Sequence, residues 1–88
     1  MKHATAATLT TLEPLLAELR TLPGVVERKP GTFYRRSRAF LHFHEDPAGL
    51  FADARLDGST FARLPVNTVQ ERRALLTAVR DALAAGKL

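Results

Sequence analysis

His42 and His44 stand one residue apart in the run Phe40-Leu41-His42-Phe43-His44. In an extended chain alternate side chains share a face, so both imidazoles project to the same side, within reach of one metal ion. Asp53 joins them if Asp46-Pro47-Ala48-Gly49 turns the chain back on itself. That register sets His42 opposite Asp53, His44 opposite Phe51 and Phe40 opposite Arg55. It also sets Glu45 opposite Leu50, Phe43 opposite Ala52 and Leu41 opposite Ala54, so every apolar pair falls on one face. A slip by one residue would mix the two faces and lose burial.

Three chemistries follow from the polar face Phe40, His42, His44, Phe51, Asp53 and Arg55. His42, His44 and Asp53 could ligate a metal, but two histidines without a fixed third ligand do not define a centre. Asp53 could orient His42 as a general base with Arg55 holding an anion. No nucleophile accompanies them, since Ser37 and Ser59 fall in turns and cysteine is absent. The simplest reading is a cross-strand pair in which Asp53 favours the imidazolium and raises the His42 pKa. No catalytic residue, metal or cofactor is therefore assigned. Phe40 and Phe51 on an otherwise polar face point instead to self-association, two sheets stacking in a homodimer, or to another protein as partner.

A second constellation is basic. Arg28, Lys29, Arg35, Arg36 and Arg38 fall within eleven residues, and no acid lies between Glu27 and Glu45. Tyr34 sits among them. Arginines that contact phosphates beside an aromatic that stacks on bases suit nucleic acid, which makes this hairpin the alternative interface. Arginine on a hairpin tip also serves solubility alone.

The elements that must position these residues read as follows. Leu9, Leu12, Leu16 and Leu19 recur at helical spacing, and Pro23-Gly24 ends the run. Thr10-x-x-Glu13 forms a capping box with Thr11 as an alternative cap, and Pro14 falls in the first turn, giving a helix near 11–21. Val25–Arg28 reads as a short strand or an extended link, and strand character follows at Thr32–Arg35, Arg38–His44, Leu50–Arg55 and Phe61–Val66, separated by turns at Lys29-Pro30-Gly31, Arg36-Ser37, Asp46–Gly49 and Asp57-Gly58-Ser59. Thr68-x-x-Glu71 caps a last helix that runs to about Ala84, with Leu75, Leu76, Val79, Ala82 and Leu83 as its apolar stripe. The expected fold class is α+β. It is a two-layer sandwich in which an antiparallel sheet of three to four strands carries the N- and C-terminal helices on its Leu41/Phe43 face.

Composition bounds the rest. Eighty-eight residues make one domain, read as 9–88 after a disordered lead-in over 1–8. Hydrophobic residues at 45% and charged residues at 25% exclude a disordered chain. Thirteen basic and nine acidic side chains leave a net charge of +4. The absence of cysteine excludes disulfides and thiolate metal sites, no apolar run reaches the ~18 residues of a membrane span, and the start lacks a leucine-rich leader. The expected compartment is the cytoplasm, with no membrane partner.

The string Leu22-Pro23-Gly24-Val25-Val26-Glu27, after a helix and before strands, resembles the opening of MmcQ/YjbR-like proteins. Phe40-Leu41-His42-Phe43-His44 is similar to the His-x-His stretch of the small luciferase-domain family. The resemblance spans residues 12–56 and implies a small bacterial α+β domain, in some relatives a DNA-binding one. After Leu56 the extra helix and tryptophan-bearing segment of the first family are missing, and no catalytic residue carries over. The sequence thus reads as a non-catalytic binding or interaction module.

Overall fold

The computed structural model describes residues 2–88. Strand β1 (Lys2–His3) leads into helices α1 (Ala6–Thr11) and α2 (Glu13–Arg20). Strands β2 (Val25–Lys29), β3 (Thr32–Arg35), β4 (Arg38–Asp46), β5 (Gly49–Ala54) and β6 (Ala62–Pro65) follow, and helix α3 (Val69–Ala84) ends the chain. The antiparallel sheet is ordered β2-β3-β4-β5-β6, and β1 also pairs with β4. The fold is α+β, as the patterning predicts. No helix is long and apolar enough to cross a membrane among the described residues.

The N-terminal segment departs from expectation. The lead-in anticipated over 1–8 is a strand and the start of a helix from Lys2 onward, and Met1 lies outside the described residues. Thr5, in extended backbone, caps α1 by accepting from the Thr8 N–H at 3.3 Å. The expected single helix is two. Pro14 has no N–H to give the Thr10 carbonyl, so the α-ladder breaks there and restarts at Glu13 with proline in the first turn of α2. The Thr10-x-x-Glu13 box does not form. Thr10 and Thr11 donate back to the Ala6 and Ala7 carbonyls, and Glu13 pairs with Arg20 at 2.6 Å. The Thr68–Glu71 box does form in both directions and starts α3 where expected.

One hydrophobic core joins Leu12, Leu15, Leu16 and Leu19 to Leu75, Leu76 and Val79, and both sets to Leu41, Phe43, Ala52 and Ala54. Helices α2 and α3 touch each other, α2 meets β2, and α3 meets β6. The β4–β5 register is the one the turn dictates, from Leu41 opposite Ala54 through His42 opposite Asp53 to Glu45 opposite Leu50. The sheet has more strands than the three to four expected. A two-residue strand such as β1 leaves no period-two pattern to read.

Phe40 is the main correction. Phe33 pairs with Leu41 and Tyr34 with Ala39, so Phe40 is the extra residue of a β-bulge. A bulge interrupts the alternation, and Phe40 and Leu41 are both 0% exposed. Phe40 therefore belongs to the core and not to the histidine face. The adjoining turn is strained. Arg35 pairs with Arg38, which leaves Arg36 (φ 54°) and Ser37 (φ 67°) as the two central residues of a hairpin with left-handed backbone at both. Such turns favour Asn-Gly, and each non-glycine residue gives up about 1–2 kcal/mol.

Gly24 is the position where glycine is required. Its φ is +75°, and the Arg35 Nη1 lies 2.2 Å from where a Cβ would stand. Gly24→Ala is expected to destabilise the fold by more than ~1 kcal/mol, measured as a lower urea midpoint. An unchanged midpoint would show that neither the backbone nor the Arg35 contact matters.

Candidate metal centre

Strand alternation puts His42 and His44 on the sheet face opposite Leu41 and Phe43, as the pattern requires. The third member is His3, which the sequence left in a lead-in. Strand β1 pairs His3 with His44, so its ring falls on the same face. The His3 and His44 rings stack at 5.1 Å between centroids, and His42 meets His44 edge-on at 4.7 Å. One ligating nitrogen from each of the three histidines lies within 4.8 Å of the other two. Around a tetrahedral ion with bonds of about 2.0–2.1 Å, ligand nitrogens sit roughly 3.3 Å apart. Small side-chain rotations close the difference.

The electrostatics leave these imidazoles unsatisfied. His42 Nδ1 and both nitrogens of His44 are buried with no hydrogen-bond partner. His44 Nε2 lies 2.9 Å from an Asp53 carboxylate oxygen, but the ring N–H is not aimed along that line, so the contact is an ion-pair approach and not a hydrogen bond. Asp53 is held from its other side by Arg63, whose Nε donates to it at 3.0 Å. Burial pushes the Asp53 carboxyl upward, but the Arg63 hydrogen bond and the charges of Arg63, His44 and His42 outweigh it, and its pKa ends below the ordinary value. His42 reverses the expected direction. Asp53 lies opposite as predicted and does raise its pKa, but burial is larger, and His44 and His3 add repulsion, so the net shift is downward. The neutral imidazole it favours is the form that binds a metal.

Glu45 anchors the residues on either side of His3. Its carboxylate accepts from the Thr5 N–H and the Thr5 hydroxyl, each at 3.3 Å, and from the Thr8 hydroxyl, and it pairs with Lys2 at 3.4 Å. The Thr8 and Thr5 hydrogen bonds lead in lowering its pKa. The Ala4 N–H donates to the Phe43 carbonyl at 3.2 Å and completes the tie of β1 to β4.

The remaining sequence candidates disperse. Phe51 stays opposite His44, half-buried. Arg55 is buried, donating to the Ala39 carbonyl at 2.7 Å and the Gly58 carbonyl at 3.1 Å. Phe61 takes the place expected for Phe40. It is 45% exposed, 5.4 Å from the His42 ring and beneath the Arg55 guanidinium. The basic hairpin distributes its cations over two turns. Arg28 lies over the Tyr34 ring at 5.0 Å, and Lys29 flanks the Pro30-Gly31 turn. Arg35, Arg36 and Arg38 surround the opposite turn, roughly 10 Å along the strand. Of the residues missed, Arg63 was legible, since β6 alternation sets it opposite Asp53. His3 was not, because only a pairing across 41 positions brings it to His44.

Comparison with protein-family models, curated proteins and solved structures found no match. The MmcQ/YjbR-like and luciferase-domain resemblances rest on their short motifs alone.

Proposed function

We propose that this domain is a binding module whose ligand is a divalent transition-metal ion held by His3, His42 and His44. The observation that carries this reading is the convergence of three imidazoles, two of them with buried nitrogens that nothing else satisfies. An all-imidazole donor set suits zinc, copper(II) or nickel(II) and disfavours calcium or magnesium. Asp53, 2.9 Å from His44 Nε2 and held by Arg63, is placed to fix the His44 ring once that nitrogen turns its N–H toward it and Nδ1 takes the ion. Three protein ligands leave a fourth position to water or a partner group. In this reading the domain is two-layered, with both longer helices behind the Leu41/Phe43 face and the metal face bare. Self-association through that face, expected from Phe40 and Phe51, loses support because Phe40 is in the core.

Zinc titration by calorimetry tests the reading. One ion per chain is expected to bind, with binding lost in His42→Ala and His44→Ala and strongly reduced in His3→Ala. Asp53→Ala should weaken it by about 10–100-fold without changing stoichiometry, as removal of a carboxylate behind a ligating histidine does. Absence of saturable zinc, copper or nickel binding by the unaltered chain would remove the proposal, as would equal binding by the His42→Ala and His44→Ala variants.

A further inference from the structure

Away from the histidines, the β3–β4 turn carries a second unabsorbed feature. Arg35, Arg36 and Arg38 line a cavity of about 190 Å³ together with Phe40, Arg55 and Lys87. Arg55 comes from the end of β5 and Lys87 from beyond α3, so the fold assembles a basic cluster that the sequence does not show as one run. Gly58 and Leu88 complete the lining, and no Asp or Glu side chain is part of it. None of these five cations comes within ion-pair distance of a carboxylate among the described residues. Two arginines elsewhere are paired, Arg20 with Glu13 and Glu27 and Arg63 with Asp53. The nearest acid to the cluster is Asp57, whose carboxyl feels the Arg55 charge without forming an ion pair with it.

Two further observations point to a ligand. Arg35 Nε is buried with no hydrogen-bond partner. A buried, unanswered guanidinium donor is unfavourable unless something supplies an acceptor. The turn that displays the cluster also keeps Arg36 and Ser37 in left-handed backbone where glycine or asparagine would relax it. Strain kept at such a turn marks positions held for their side chains.

We propose that this cavity is a binding site for a phosphate group, as a free phosphate or phosphomonoester or as a phosphate of a nucleic-acid strand. Guanidinium forks match phosphate oxygens in pairs, and several cations around one cavity favour a dianion over a carboxylate. The cavity holds roughly the volume of six liquid waters, enough for a phosphate and a short stem. The site is independent of the metal centre, which lies on other residues.

The experiment is an NMR titration of the ¹⁵N-labelled chain with inorganic phosphate, with pyrophosphate and with a 5′-phosphorylated single-stranded DNA oligomer, each at low and moderate salt. Saturable shifts are expected at the amides of Arg35 to Phe40 and Arg55 to Gly58. Arg36→Gly is the informative variant. It suits the positive φ, so it should keep or raise the melting temperature while weakening phosphate at least several-fold. Arg38→Gln should weaken it as well, with the fold intact. Pyrophosphate at least as tight as the oligomer would assign a small phosphorylated ligand. An oligomer that binds much more tightly, with a steep salt dependence at the same amides, would assign a nucleic-acid phosphate. No shifts at these amides, shifts centred on Arg28 and Tyr34, or unchanged binding in Arg36→Gly would each overturn the site.

Discussion

Phe40→Ala should destabilise the domain by about 3–5 kcal/mol, the range for truncating a fully buried aromatic. Strict alternation along β4 makes the opposite prediction. Phe40 would stand on the polar face beside His42, and its removal would be nearly neutral. The bulge decides between them, because Phe40 and Leu41 together oppose Phe33 and both are buried. Phe61→Ala is the natural comparison. Phe61 is 45% exposed, and its loss should change stability by about 1 kcal/mol or less. Domains of this size hold about 5–15 kcal/mol in total, so Phe40→Ala should lower the urea midpoint severely. Equal midpoints for the two variants would return Phe40 to the surface and undo the bulge.

The same contrast shows where the sequence was readable. The β4–β5 register was legible from Leu41 through Glu45, because a slip would have mixed the faces, while the loop is tighter than read, with Asp46 paired to Gly49. Helix α3 was legible because Thr68 and Glu71 cap it reciprocally. Both signals are local. The bulge at Phe40 depends on how β3 pairs with β4, and nothing in Ala39-Phe40-Leu41 announces it. The N-terminal cap was misplaced for a related reason. Several threonines compete there, and the one that wins, Thr5, is chosen by Glu45, forty residues away. The candidate site follows the same division. His42, His44 and Asp53 come from one hairpin and were readable together. His3 comes from a strand of two residues, and its ring is placed by long-range pairing. The basic residues are spread along the β2–β4 segment, with Arg28 over Tyr34 and Arg35, Arg36 and Arg38 at the β3–β4 turn.

Zinc should raise the melting temperature of the chain by roughly 10–20 °C when its free concentration reaches a hundred times the dissociation constant. A ligand that binds only the folded state stabilises it by about 2.7 kcal/mol at that excess. In a domain of this size each kcal/mol moves the midpoint by about 4–8 °C. The three ligands lie 3, 42 and 44 residues along the chain, so the unfolded state cannot present them together at comparable affinity. The effect must also vanish in acid, because protons and metal compete for the imidazole nitrogens. Without metal the histidine face has its own pH dependence, and its sign is fixed by His42. The folded-state pKa of His42 lies below the ordinary 6.5, burial being the first cause and the neighbouring histidines the next, against the pull of Asp53. The unfolded chain therefore takes up a proton that the folded one resists. Stability is full above about pH 6.5 and falls as the pH drops from there toward the lowered value. A raised pKa would give the reverse, with stability present in acid and lost as pH rises. Titrating the His42 ring resonances in the metal-free chain distinguishes the two directly. A midpoint above that of an unfolded histidine would restore the simple Asp53 pair and remove the burial on which the neutral, metal-ready form depends. A downward midpoint with a large zinc-dependent rise in melting temperature, lost in His44→Ala, would support the proposed metal site at the buried imidazoles.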